Sequence, residues 1–457
     1  MRSAQRMRRC LAINATVGAR CVALAVALLG ASVTARALPT FASQTGLPCA
    51  QCHTVAYGPA LTPYGRQFKL NGYVWGDGTP MPLAVMLQGG YTRTAADQPE
   101  PPAEHYSVND NLSLDQASVF FAGRLSNHAG AFVQVTYSGP DRHTSWDNVD
   151  LRYARSTTIR NSPVVFGVSV NNNPTVQDLW NSTPAWGFPY ISSAIAPTPA
   201  AGTLIGALGQ TVLGATAYAM VDDHYYVEAG GYRSLPNRWL GNVGLNQDSN
   251  SHLRGVAPYW RAAVQFDGAR DHISVGTFGL SANVSPAPTL AATDRYTDVG
   301  FDATYQVTPT SDHQFASNAS YIHEHRSLAA SAVGGAASTQ SGSLHTTALD
   351  FTYSYRRTYA VSAGLFDIGG NADTTLYAPA ALGGSASGRP DSRGYIFGAE
   401  YIPFGKLESY GKPWLNVRIG LQYVGYTKFN GDSRDYDGAG RDAHDNNTLF
   451  AYVWIII

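Results

Sequence analysis

The residues best suited to chemistry lie together near the N-terminus: Cys49-Ala50-Gln51-Cys52-His53. This C-x-x-C-H spacing is the attachment signature of a c-type haem. Two thiols two residues apart can each add to one vinyl group of a single porphyrin. The next residue, His53, then falls under the ring, where its imidazole can ligate the iron. Two other chemistries use a C-x-x-C pair. A redox dithiol needs a βαβ setting, which the flanking sequence does not offer. A zinc site needs further thiolates or paired ligands, and no cysteine follows Cys52. The reading carried forward has Cys49 and Cys52 as thioether residues, His53 as axial ligand, and one covalent haem c as cofactor.

The rest of the chain must export and position this motif. Residues 1–37 read as a signal peptide: Arg2, Arg6, Arg8, Arg9 and Arg20 are its basic region, Cys21 to Leu29 its apolar core, and Ala35-Arg36-Ala37 a small-x-small cleavage site. The apolar run is too short to span a bilayer comfortably as a helix. Of 31 basic and 32 acidic residues the signal removes six Arg and no acid, leaving 25 against 32, a net charge of −7. That excess of acid argues against nucleic acid as a partner and suits attraction of cations. Removal of Cys10 and Cys21 leaves only Cys49 and Cys52 in an oxidising compartment.

Residues 38–80 form a small haem-bearing segment with too few apolar side chains for a core of its own. Residues 81–457 read differently. Segments of about ten residues alternate apolar and polar, the signature of transmembrane strands. In 296–308, Thr297, Val299, Phe301, Ala303, Tyr305 and Val307 share one face, and Asp298, Gly300, Asp302, Thr304 and Gln306 the other. Segments 413–423 and 258–267 repeat the pattern, with Arg418 and Arg261 on the polar side. Charged residues on the second face suit a polar lumen. The 27 Tyr and 8 Trp suit aromatic girdles. About sixteen strands can be placed, near 82–93, 114–125, 130–138, 146–158, 163–170, 205–221, 225–233, 257–267, 271–281, 296–308, 313–325, 344–355, 358–368, 393–402, 413–428 and 446–457. Short turns alternate with long Gly-, Ser-, Asn- and Asp-rich loops. The predicted fold is therefore all-β: an outer-membrane antiparallel β-barrel with a small N-terminal c-type cytochrome segment, both termini on the periplasmic side.

Two stretches carry a family resemblance. One runs from Pro39-Thr-Phe-Ala-Ser-Gln-Thr-Gly46 through the haem motif to Leu61-Thr-Pro-Tyr-Gly-Arg-Gln-Phe-Lys-Leu-Asn-Gly-Tyr73; the other is Asn171 to Tyr190. Together they resemble the fused monohaem cytochrome–porins of the bacterial outer membrane, the iron-oxidase family of iron-oxidising bacteria. The resemblance implies electron transfer across the outer membrane, from extracellular Fe(II) as donor to a periplasmic c-type cytochrome as acceptor. Ser43 stands where the resemblance leads one to expect Arg, and the chain ends Trp454-Ile-Ile-Ile457 rather than on an aromatic. Two other functions fit the same sequence: a passive porin whose haem segment is a structural plug, and an outer-membrane cytochrome with a different electron donor.

No acid–base pair or nucleophile is needed for electron transfer. Arg66 and Lys69, just after the motif, are candidates to meet the haem propionates, with ordinary surface charge as the alternative. Residues 54–80 contain no Met or His, and Met81, Met86 and Met220 are the only methionines after the signal. Met86, on a lumenal face with Ala84, Gln88, Gly90 and Thr92, is the candidate distal ligand; plain packing is the alternative, and a five-coordinate or water-ligated iron stays open. His105, His128 and His143 fall in connections. The loop 171–204 is expected to fold into the lumen and bring Asp178 and Trp180 near the haem. Two further metal-like patterns, His323-Glu324-His325 and the aspartates of 432–445, read more simply as a strand face and a solvated loop.

Overall fold

The computed structural model describes residues 40–77, 83–245, 252–286, 292–406, 409 and 415–457. The expected signal peptide and Met81 lie outside the described residues. The wall begins with β1 (Leu83–Thr94), β2 (Asn111–Arg124), β3 (Ala129–Ser138), β4 (His143–Ile159), β5 (Ser162–Asn171), β6 (Val212–Val221), β7 (Tyr225–Ser234) and a short β8 (His252–Leu253). It continues with β9 (Ala257–Asp267), β10 (Asp271–Ser285), β11 (Asp294–Thr310), β12 (His313–Ser327), β13 (Ser341–Tyr355), β14 (Tyr359–Gly370), β15 (Ser392–Tyr401), β16 (Asn416–Lys428) and β17 (Thr448–Ile456). Neighbours pair antiparallel throughout, β7 reaches past β8 to pair with β9, and β1 pairs with both β2 and β17. The sheet therefore closes, leaving no free edge. Because β8 only extends the outer end of β10, the wall has sixteen long strands, as expected.

Alternation along each strand separates two environments. On β11 Asp298, Asp302 and Thr304 are buried inside, while Val299, Phe301 and Tyr305 are exposed outside. On β1 Ala84, Met86 and Gln88 point in, and Leu83, Val85 and Leu87 point out. The outward residues form a continuous apolar belt far larger than a water-facing protein tolerates, so the belt faces lipid. Tyr225, Phe266, Tyr305, Tyr359 and Tyr401 are exposed near the short-turn end, where an aromatic girdle is expected. Three short turns carry adjacent left-handed residues, Arg160–Asn161, Asp222–Asp223 and Arg356–Arg357, the geometry of tight hairpins between twisted strands.

One predicted strand start is corrected. Residues 205–211 are not strand: Leu204–Ala207 is a helical turn inside the lumen, and β6 begins at Val212. The apolar run reads as strand, but inward carboxylates offer a better arrangement. Leu204 N donates to Glu324 at 2.5 Å and Ile205 N to Asp298 at 2.7 Å, which satisfies N–H groups that a helix start leaves free.

The segment before β1 folds as three helices, α1 (Thr40–Thr45), α2 (Cys49–Cys52) and α3 (Pro63–Leu70). Thr62 caps α3 by accepting from Gly65 N at 3.2 Å, and Pro63 opens it at a position where no N–H is needed. The loop after β5 turns inward as expected. Asn172, Thr175, Gln177 and Asp178 are completely buried, and Leu179 and Trp180 nearly so.

Candidate functional site

The C-x-x-C spacing acquires its meaning in α2. One helical turn puts residues three apart on the same face, so Cys49 and Cys52 point the same way. His53 ends the helix in an extended conformation, and its N–H donates to Cys49 O at 3.0 Å. The chain then loops back. Thr54 N donates to Ala60 O, Thr62 N to Cys52 O, and His53 bridges Leu61. Gly65 lets α3 sit directly on the end of α2, since a Cβ there would lie 2.3 Å from Cys52 O.

Cys49, Cys52 and His53 converge on one cavity of about 420 Å³ inside the lumen. Its size falls within the roughly 300–1,000 Å³ usual for cofactor sites. Phe68, Phe120, Phe132, Trp186, Tyr190 and Trp454 give it an aromatic, largely apolar lining. Met86 lines it too, from β1, with Gln88 Nε2 3.7 Å from its sulfur. Gln88, Gln116, Gln134, Asp147, Asn148 and Asp150 are among its polar residues.

The electrostatics suit a neutral ligand set. Burial lowers the His53 pKa to about 4, with backbone groups of Gly58 and Ala60 pulling the other way and nearby Arg418 adding to the fall. The imidazole is thus uncharged and able to bind a metal. Its Nδ1 is buried without a hydrogen-bond partner. Burial raises the Cys49 thiol to about 11 and, helped by Cys49, the Cys52 thiol to about 12. The thiols are unbridged. A position that favours uncharged sulfur also accommodates uncharged thioethers. Among the described residues no group of three or more His, Cys, Asp or Glu side chains is arranged to hold a metal ion, His323 and His325 included. The residues therefore fit a haem attached at Cys49 and Cys52 and ligated by His53, with Met86 on the same cavity.

Arg66 and Lys69 are placed differently from the expectation of surface charges or free propionate partners. Arg66 is only 3 % exposed and does not line the cavity. It donates to Leu61 O and Gln306 at 3.0 Å and pairs with Asp267 at 3.2 Å, so it fastens α3 to the wall. Lys69 lines the cavity, but its ammonium already reaches Val176 O (2.8 Å), Asp178 O (2.5 Å) and Asn181 Oδ1 (2.9 Å) on the inner loop. Burial, with Arg152 nearby, lowers its pKa to about 7. Asp178 and Trp180 also turn away from the cavity. Asp178 pairs with Arg261 at 3.1 Å, and Trp180 Nε1 donates to Gln265 at 2.9 Å on the far wall. The inner-loop residues that do line the cavity are Val176, Asn181, Trp186 and Tyr190 among others.

Several docking residues carried no sequence signal beyond an inward position on a strand or a place in a turn. Arg418 donates to Tyr57 O at 2.6 Å, and its guanidinium lies 5.2 Å from the ring centres of both Tyr57 and Trp454. Tyr57 Oη donates to Trp454 O at 2.7 Å. Arg357, at the end of the β13–β14 turn, donates to Ala50 O, and Ala50 N donates to Gly405 O at 3.1 Å. Both contacts lie at the short-turn end of the barrel.

The closed ladder, apolar belt and short-turn/long-loop asymmetry define the class: a porin-like barrel of the outer-membrane type, here with its lumen occupied by an N-terminal segment and an inner loop. Solved structures similar in outline include an OmpF of Salmonella typhi in complex with daunomycin (TM-score 0.47, 14 % identity, 82 % of this chain and 97 % of that one). They also include an anion-selective porin from Comamonas acidovorans (TM-score 0.44, 10 % identity, 82 % and 98 %) and the DcaP channel of Acinetobacter baumannii (0.44, 10 %, 84 % and 99 %). No family model and no curated protein matches the sequence.

Proposed function

We propose that this chain is an outer-membrane monohaem cytochrome–porin that takes electrons from extracellular Fe(II) and passes them to a periplasmic c-type cytochrome. The observation that carries this reading is the convergence of Cys49, Cys52, His53 and Met86 on one aromatic-lined cavity within the lumen. When bound, the haem would supply a one-electron Fe(III)/Fe(II) couple. Cys49 and Cys52 would hold it covalently, and His53 would donate its neutral imidazole to the iron. Met86, on the same cavity, is the candidate second ligand, and a thioether ligand would favour a high potential. The apolar lining favours the less charged, reduced state. Arg66 and Lys69 serve by locking α3 in place.

Support for the direction of transfer comes from the two ends of the site. Ala50 touches Arg357 and Gly405 near the periplasmic turns, within reach of a periplasmic acceptor. The polar residues of the cavity, Asp147 among them, suit approach of a small hydrated cation through the lumen. Oxidised protein should be mixed anaerobically with Fe(II) while its haem absorption is followed, with His53→Ala as control. Fast reduction that the control loses supports iron oxidation. An oxidised haem that ignores Fe(II) yet accepts electrons from dithionite points to another donor. A barrel without redox-active haem but with ion conductance points to the plugged porin.

A further inference from the structure

A second cavity lies at the long-loop end of the barrel. It has a volume of about 340 Å³ and is lined by His325, Thr339, Ser341, Ser343 and Asn371 among others. Its walls are built. Asn371 Oδ1 accepts from Ser343 N at 2.7 Å and Ser343 Oγ at 2.8 Å. The two outer loops beside it are tied by Asp373, which accepts from the backbone and hydroxyls of Ser338 and Thr339 and from Thr375 N and Leu376 N. Those bonds hold its carboxyl well below the usual carboxylate range.

The outward face beside this cavity carries several nitrogen donors. His323 and His325 are exposed on β12, and His323 faces His345 directly across the ladder. His345 Nε2 lies 3.4 Å from Asp367, and Asp367 in turn lies 2.5 Å from Arg393, whose side chain is 68 % exposed. Arg295, exposed on β11, sits opposite Ser327 at the same end. Asp367 thus touches one imidazole and one guanidinium, with His323 across the ladder from His345 and Asp391 a second carboxylate near Arg393. Immediately below, on the same strands, Tyr321, Leu349, Leu365 and Phe397 are exposed as part of the lipid-facing belt.

We propose that this rim binds the phosphorylated head group of an anionic lipid, with the acyl chains lying on the belt below. Hydroxyl, amide, imidazole and guanidinium donors suit phosphate oxygens and polar head-group atoms. The continuous apolar surface beneath argues for a lipid rather than free phosphate. The site faces away from the lumen and does not depend on the haem.

The test uses full-length protein in detergent, titrated with phosphatidylglycerol or phosphatidylcholine and read by native mass spectrometry. Phosphatidylglycerol should be retained preferentially, and the variant His323→Ser/His345→Ser/Arg393→Gln should lose about fivefold or more of that preference. Asp367→Asn, which frees Arg393 and His345 from their carboxylate, should strengthen retention severalfold. Equal retention of the two lipids by the native protein overturns the proposal. So does an unchanged triple variant, or a weaker Asp367→Asn. Complete displacement of phosphatidylglycerol by equimolar inorganic phosphate assigns a free-anion site and overturns the lipid reading. Should the triple variant fail to fold, judged by heat-dependent gel mobility, Asp367→Asn and the phosphate competition still decide.

Discussion

Arg418→Met should release the N-terminal helical segment while leaving the barrel closed. Arg418 is 3 % exposed on β16 and makes three kinds of contact. It donates to Tyr57 O at 2.6 Å, stacks between Tyr57 and Trp454 at 5.2 Å, and pairs with Glu400 at 3.5 Å. Methionine keeps much of the apolar stem but leaves Glu400, 15 % exposed and still hydrogen-bonded by Tyr452, without its cation, and leaves Tyr57 O without its donor. Losing a charge-assisted hydrogen bond of this kind costs about 1.5–3 kcal/mol. The β16 ladders to β15 and β17 are backbone bonds and survive. The loss therefore falls on docking of the segment. At about 1.4 kcal/mol per tenfold, the opening equilibrium should rise by about ten- to a hundred-and-fifty-fold. Hydrogen exchange of amides in 53–70 should accelerate accordingly, while strand amides keep their protection. Adding Glu400→Gln removes the charge left without its cation and should recover part of the loss. Unchanged exchange in 53–70 in a folded Arg418→Met barrel would refute the assignment of Arg418 as the latch.

Gly65→Ala places a Cβ 2.3 Å from Cys52 O, so α3 must shift off α2. Covalent haem per chain, measured by pyridine haemochrome, should fall clearly while barrel yield stays level. Lys69 has its pKa lowered from 10.5 to about 7. Between those values the unfolded segment binds more protons than the docked one, so docking should strengthen as pH rises from about 7 toward 10.5 and bear the full burial cost below 7. Lys69→Met should abolish that slope in segment exchange measured against pH. Met86→Leu is nearly volume-conserving and should cost less than about 1.5 kcal/mol in barrel stability. If the Met86 sulfur ligates the iron, the same change lowers the midpoint potential and removes the sulfur-ligation absorption of the oxidised haem; an unchanged potential and spectrum assign Met86 to packing.

Most of the barrel was legible because period-two alternation is a direct imprint of lipid on one face and a polar lumen on the other. Val299, Phe301 and Tyr305 against Asp298, Asp302 and Thr304 show how little ambiguity it leaves. Residues 205–211 misled because an apolar run says nothing of the carboxylates, Asp298 and Glu324, waiting some ninety or more residues away. The same reason hides the docking groups. Nothing local marks Arg418 as a latch, and the tight turn that gives Arg357 its left-handed backbone at φ 50° says nothing of the segment it holds through Ala50. The candidate site was legible where its chemistry is local: one turn of helix aligns Cys49 with Cys52, and His53 follows. It was not legible where long-range partners decide. Arg66 and Lys69 follow the motif closely, yet Asp267 and Gln306 engage the one and Val176, Asp178 and Asn181 the other.

Covalent haem at Cys49 and Cys52 is the claim on which the functional reading rests. Protein produced with c-type maturation should be denatured, digested and weighed. The account predicts a peptide spanning 49–53 that carries the mass of one haem, survives denaturation, and disappears in Cys49→Ala/Cys52→Ala. A correctly folded barrel whose peptide bears two unmodified thiols or a disulfide would contradict it.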